Sequence, residues 1–336
     1  RGSAAPRLRG SGAPGLRLRL RHIAGAERDG REQMEPEPDL ADKLQDGCAP
    51  KHEPEPEMAE AQEADNARAA AEEQPHGRTD KMALVLHVPH ASTLIPEADL
   101  ADFVVPAETL AHEKLRLVDH YTDQLYMDGF PAERAAVAPV CRLVVDMERF
   151  ADDEMETAAR VGMGATYVTT TEGAPLRRLT PERREELIRQ YYTPHHARLD
   201  RLAQEALDRC GRCVVLDCHS FPAAPLPTQT SFLDVSPEIC IGTDPTHTSP
   251  ELRDLVVAHF HRLGFEVRVD KPFAGALVPN AFYGTDTRVQ SVMVELRRDL
   301  YMDEATGERR HEGFRRLQGA LTELREQLER YTAGSL

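Results

Sequence analysis

With 336 residues and a net charge of −16, the chain can bury a large core but lacks the clustered basic surface that nucleic acid binding needs. No apolar stretch approaches the roughly 18 residues of a membrane span, and no basic segment followed by an apolar core marks a secretory signal. Six cysteines in so long a chain make no disulfide framework, so the expectation is a cytoplasmic protein whose partner is a small molecule.

Residues 1–81 carry an Arg-, Gly- and Ala-rich opening followed by Glu-, Asp- and Pro-rich runs. Their low hydrophobicity and blocks of like charge predict a disordered tail. The folded domain is expected over residues 82–332. It opens with a strand at Met82–Val88, and a helical pattern follows from about Pro106 to Asp128. Short apolar runs at Ala135–Ala138 and Arg142–Val145 read as strands. Residues 151–180 show no period, which suggests a functional loop or lid. Thr180 as N-cap with Pro181 behind it starts a charged helix to about Arg209. Then come a strand at Cys213–Leu216, a Pro-rich loop over 223–229, a strand at Glu238–Gly242, a helix at Pro250–Leu263 and a strand at Phe265–Val269. A further strand spans Gln290–Val294, and an amphipathic helix runs from about Glu308 to Tyr331. This alternation predicts an α/β fold, a three-layer sandwich around a mostly parallel sheet. Cys210 and Cys213 have CxxC spacing, but one ends a helix and the other begins a strand, so both read as structural thiols.

Polar side chains at the carboxyl ends of buried parallel strands point into the ligand crevice. Three strands here end that way, in His90, in Asp217-Cys218-His219-Ser220, and in Glu295. Two imidazoles and a carboxylate suit a catalytic zinc, which keeps three protein ligands and an open position. Asp119 is the chosen third ligand, one helical turn before Asp123 on the same face, and either acid could reach the metal. Glu295 is the candidate base, which takes a proton from the attacking water and returns it to the leaving amine. Arg142 and Arg149 flank the run ending in Asp146. Arginine clamps carboxylates well, although a salt bridge from Arg149 to Asp146 or Glu148 fits the spacing equally. Ser220 adjoins His219 but faces the opposite way, as adjacent strand residues do. A Ser/His/Asp nucleophile system is therefore the weaker option, and Ser220 is expected to bind substrate instead.

The segments VLHVPHASTLIP (85–96), DHYTDQLY (119–126), CRLVVDMERF (141–150), YYTPHHARL (191–199), VVLDCHSFP (214–222), EICIGTD (238–244) and VELRRDLYMDE (294–304) together resemble the N-formylglutamate amidohydrolase family. The resemblance implies a phosphorylase/hydrolase-like three-layer fold and zinc-dependent cleavage of N-formyl-L-glutamate to formate and glutamate, a step of histidine degradation. It also implies His90, Asp119 and His219 as metal ligands and Glu295 as the base. Arg149 would bind the substrate carboxylate, and Arg142 would stabilise the oxyanion. Glu148 stands where the family's Asp-Leu-Asn-Arg motif has Asn, and His195 replaces a Tyr. An acid at 148 would oppose a dianionic substrate, so a different N-acyl amino acid or small peptide is the alternative. A non-catalytic metabolite-binding protein of the same fold is a third reading.

Overall fold

The computed structural model describes residues 83–227 and 236–334, so the expected tail over 1–81 and the end of the Pro-rich loop lie outside it. Six strands form one sheet: β1 (Leu84–Val88), β2 (Ala135–Val137), β3 (Cys213–Phe221), β4 (Ile239–Thr243), β5 (Val267–Val269) and β6 (Val289–Arg297). Their spatial order is β2-β1-β3-β6-β4-β5. All neighbours run parallel except β4 and β6, which are antiparallel. Helices cover both faces, so the predicted three-layer α/β architecture holds, with one reversed pair making the sheet mixed. Among the described residues no helix is long and apolar enough to cross a membrane.

Strand alternation divides the core. On one face Leu84, Leu86, Val88, Val214, Leu216, Cys218, Val292, Val294 and Leu296 pack in a single cluster. Helices α3 (Thr122–Tyr126), α6 (Pro250–Arg262) and α7 (His311–Thr332) add Leu125, Phe260, Leu321 and Leu324 to it. On the other face Val85, Cys213, Val215 and Val289 pack against Leu199, Leu202 and Ala206 of α5 (Thr193–Cys210). Each fully buried aliphatic side chain contributes roughly 1.5–3 kcal/mol. Cys210 and Cys213 carry free thiols, and burial pushes Cys213 up to about 12, as suits a structural role.

Two sequence expectations need correction. After the short α1 (Glu97–Leu100), the helix expected from Pro106 to Asp128 is broken into α2 (Ala107–Leu117) and α3. Val118 is extended and Tyr121 takes a left-handed φ of 66°. The break has a tertiary cause: the Asp119 N–H donates to His90 O at 3.0 Å, and Thr122 Oγ1 donates to Asp119 O at 2.8 Å. Asp119 is therefore off the helix and shares no helical face with Asp123. The run Arg142–Val145, buried from Leu143 onward, forms a turn, with Val144 N donating to Cys141 O at 2.8 Å. Its carbonyls find no strand partner. Arg177 Nη2 satisfies Val144 O instead, at 2.7 Å.

Residues 151–180 contain a 3₁₀ turn at Thr157–Val161 and share a third apolar cluster through Met163, Tyr167 and Leu176. The helix expected from 181 to 209 runs as α4 (Pro181–Leu187), a π turn at Ile188–Tyr192, and α5. Pro194, which cannot donate and crowds the carbonyl one turn back, explains the widened turn.

Candidate active site

Between β1 and β3 the chain order reverses direction across the sheet, and crevices in such folds open at that point. On the α5 face the strands are apolar near their starts. Toward their ends they carry His87, Asp217, His219 and Glu295. His87 pairs in register with Asp217, and His219 with Glu295, so all four side chains share one face. Such burial of polar groups is tolerated only with partners.

The structure brings together three of the predicted residues, His90, Asp119 and His219. One ligand atom from each lies within 4.8 Å of the others. Asp119 Oδ2 is 3.3 Å from His219 Nδ1 and 3.6 Å from His90 Nδ1. Bonds near 2.0–2.1 Å in a tetrahedron put zinc ligands about 3.3 Å apart. The far nitrogens are pinned by carboxylates: His90 Nε2 to Asp146 Oδ1 at 2.8 Å, and His219 Nε2 to Asp217 Oδ1 at 2.9 Å. That leaves each Nδ1 to face Asp119, and His90 Nδ1 is buried without a hydrogen-bond partner. Carboxylate-backed imidazoles whose second nitrogen turns inward toward a shared acid suit a zinc site, so the donor set fits the ion.

Electrostatics agree with this arrangement. Burial opposes ionisation of Asp119, but interactions with His219 and His90 and the charge on Arg298 hold its carboxyl well below the usual carboxylate range. Asp146 is likewise held low against burial, by Arg142, His90 and Arg149. Burial also works against a charge on His219, yet the Asp217 and Glu148 carboxylates raise its pKa well above the ordinary value.

Asp146 is a hub the sequence reading passed over. Arg142 donates to its Oδ2 through Nε at 3.1 Å and Nη2 at 2.7 Å, and Tyr167 OH donates to the same oxygen at 2.7 Å. Arg142 Nη1 donates to Leu117 O at 3.1 Å, leaving part of its donor fork for other use. Arg149 is less committed. Its nearest acids are Glu156 at 3.7 Å and Asp146 at 3.9 Å, and its buried Nε has no hydrogen-bond partner. Glu148 turns toward imidazoles, with Oε1 3.3 Å from His219 Nε2 and 3.8 Å from His87 Nδ1.

Ser220 does face away from His219. Its hydroxyl accepts from Arg298 Nε at 3.1 Å, and its N–H donates to Asp119 Oδ2 at 3.1 Å. Asp123 is half-buried on α3, and the grouping of ligand atoms includes Asp119 instead. Sequence reasoning gave no site role to His87, Asp217, His195 or Arg298. His87 links Asp217 at 2.8 Å to His195 at 3.0 Å, and burial with neighbouring imidazole charge keeps His195 well below the ordinary histidine value. The i, i+2 alternation from His219 back to Asp217 was a usable signal; nothing local marks Arg298.

A profile of the N-formylglutamate amidohydrolase family matches residues 82–302. The crystal structure of N-formylglutamate amidohydrolase from Ralstonia eutropha JMP134 is similar with a TM-score of 0.65 at 26% identity, covering 76% of this chain and 95% of that one. A gene product from Agrobacterium tumefaciens shares the fold, with a TM-score of 0.53 at 20% identity over 74% of this chain and 92% of its own. No curated protein matches significantly. With that profile spanning most of its length, the chain belongs to the N-formylglutamate amidohydrolase family.

Proposed function

We propose that this chain is a zinc-dependent hydrolase that cleaves the amide bond of N-formyl-L-glutamate. The observation that carries this reading is the buried trio His90, Asp119 and His219, with carboxylate-backed imidazoles, beside the strand-end acid Glu295. His90, Asp119 and His219 would hold the zinc, which would supply Lewis acidity toward the formyl carbonyl and toward the attacking water.

The remaining work falls to the chain. The Glu295 carboxylate takes one proton from the attacking water as the new C–O bond forms. It returns that proton to the amide nitrogen as the C–N bond breaks, and the remaining acid proton passes to the released amine, giving formate and the ammonium form of glutamate. Register places Glu295 on the strand beside His219 and on the same face. Arg149, with its unpartnered Nε, receives a substrate carboxylate, and the uncommitted part of Arg142 faces the developing oxyanion. Asp146 fixes both the Arg142 fork and the far nitrogen of His90, so one acid ties the oxyanion donor to a metal ligand. Because Glu148 is directed at His219 and His87, the repulsion expected from an acid next to Arg149 is reduced, which keeps the dianion as first candidate.

The test is formate release from N-formylglutamate by purified protein, stripped with chelator and reloaded with zinc. Alongside runs a panel of N-formyl and N-acetyl amino acids with neutral side chains. Activity restored by zinc, with formylglutamate preferred, is the expected result. Preference for a neutral side chain would overturn the substrate, and full activity in chelator would overturn the metal.

A further inference from the structure

Asp119 is the acid of the proposed ligand set, and its two oxygens face different surroundings. Oδ2 looks toward the imidazoles and accepts the Ser220 N–H at 3.1 Å. Oδ1 accepts from Arg298 Nη2 at 2.9 Å, with Arg142 Nη1 at 3.6 Å beyond it. Arg298 is 3% exposed and cannot drift. Its Nε donates to Ser220 Oγ at 3.1 Å, its Nη1 to Arg116 O at 2.6 Å, and its Nη2 also to Ser220 O at 3.2 Å. The guanidinium thus ties together the last turn of α2, the end of β3 and the 3₁₀ turn Arg298–Leu300 that follows β6.

The two histidines are backed by carboxylates, whereas Asp119 is backed by a cation. A carboxylate with one oxygen bound to a fixed guanidinium has only the other to give to a metal. It cannot rotate to offer both, so a coordination position stays free for the reacting groups. We propose that Arg298 is a positioning residue that holds Asp119 as a one-oxygen ligand and keeps that position open. This rests on the zinc reading above, and its consequences appear in metal binding itself rather than in turnover alone.

The experiment uses the full chain with Arg298→Met, Arg298→Lys and Ser220→Ala, each checked for folding by circular dichroism. Zinc affinity is measured by chelator competition, and the coordination number is read from the visible spectrum of the cobalt-substituted protein. Arg298→Met should lose about 10–100-fold in zinc affinity, and its cobalt spectrum should weaken as Asp119 turns bidentate. Arg298→Lys keeps the charge but not the fork, and should fall between. Ser220→Ala, which frees only Nε, should lose a few-fold. Folded Arg298 variants with unaltered affinity and an unaltered cobalt spectrum would overturn the proposal. If they do not fold, unaltered affinity in Ser220→Ala overturns it instead. Failure of the unsubstituted protein to take up zinc would overturn the metal reading first, and the role of Arg298 with it.

Discussion

The two faces of the sheet use the same three strands for opposite ends. Toward α3, α6 and α7, β1 and β3 are apolar through to Val88 and Cys218, and β6 from Val292 to Leu296. Toward α5, the same strands change character halfway and carry His87, Asp217, His219 and Glu295, all buried. The first face gains free energy from every residue it covers. The second removes charges from water, and such burial stabilises little even when each charge is paired. Stability and chemistry are therefore interleaved residue by residue along the chain, yet separated in space by the thickness of one sheet.

Substitutions on alternate residues test that separation. The largest expected effect is on the polar face: Glu295→Gln should lower turnover by about two to four orders of magnitude with little change in Tm. Near-full activity in this variant would remove Glu295 from the mechanism. On the apolar face, Leu216→Ala should cost about 2–5 kcal/mol in urea unfolding, while the folded fraction keeps its KM. A raised KM instead would show that the faces are coupled. Gly242→Ala probes the loop lying over β4. An added Cβ would meet Gly275 O at 2.1 Å, where backbone must move. A cost of about 1–3 kcal/mol should appear together with a weakened site, because Leu277 N in the same loop donates to Asp217 Oδ2 at 2.8 Å.

The smallest effect expected is a pH slope in the metal-free protein. The His219 pKa is raised on folding, so its contribution is complete below about 6.5 and declines as pH rises toward the folded value. Stability should then fall above neutrality by at most about 1.4 kcal/mol per pH unit, and zinc, which competes for Nδ1, should flatten the slope. Stability that is constant or rising between pH 7 and 9 in the stripped protein would contradict the charge assigned to this imidazole.

Much of this arrangement was legible in the sequence. Val214-Val215-Leu216 running into Asp217-Cys218-His219 can hardly be other than a buried strand that ends at a crevice. Asp119 could be named but not placed. The helical period continues through Val118 and Tyr121, and the break that frees Asp119 is imposed by the His90 carbonyl and Arg298, both distant in sequence. Arg142–Val145 failed for a related reason: an apolar run reads as a strand, but only a neighbouring strand edge makes it one. Arg298 was invisible because nothing in Arg297-Arg298 tells which arginine turns inward.

The carboxylates behind His90 and His219 have one more consequence. Both rings are oriented by protein groups, and so is Asp119, so the cradle is assembled by folding and does not wait for its ion. In zinc fingers the metal drives the folding; on the proposed zinc reading, a chelated form of this chain should stay compact and take zinc up reversibly. Scarcity of the metal in a cell would then leave an intact, dormant enzyme rather than a misfolded one.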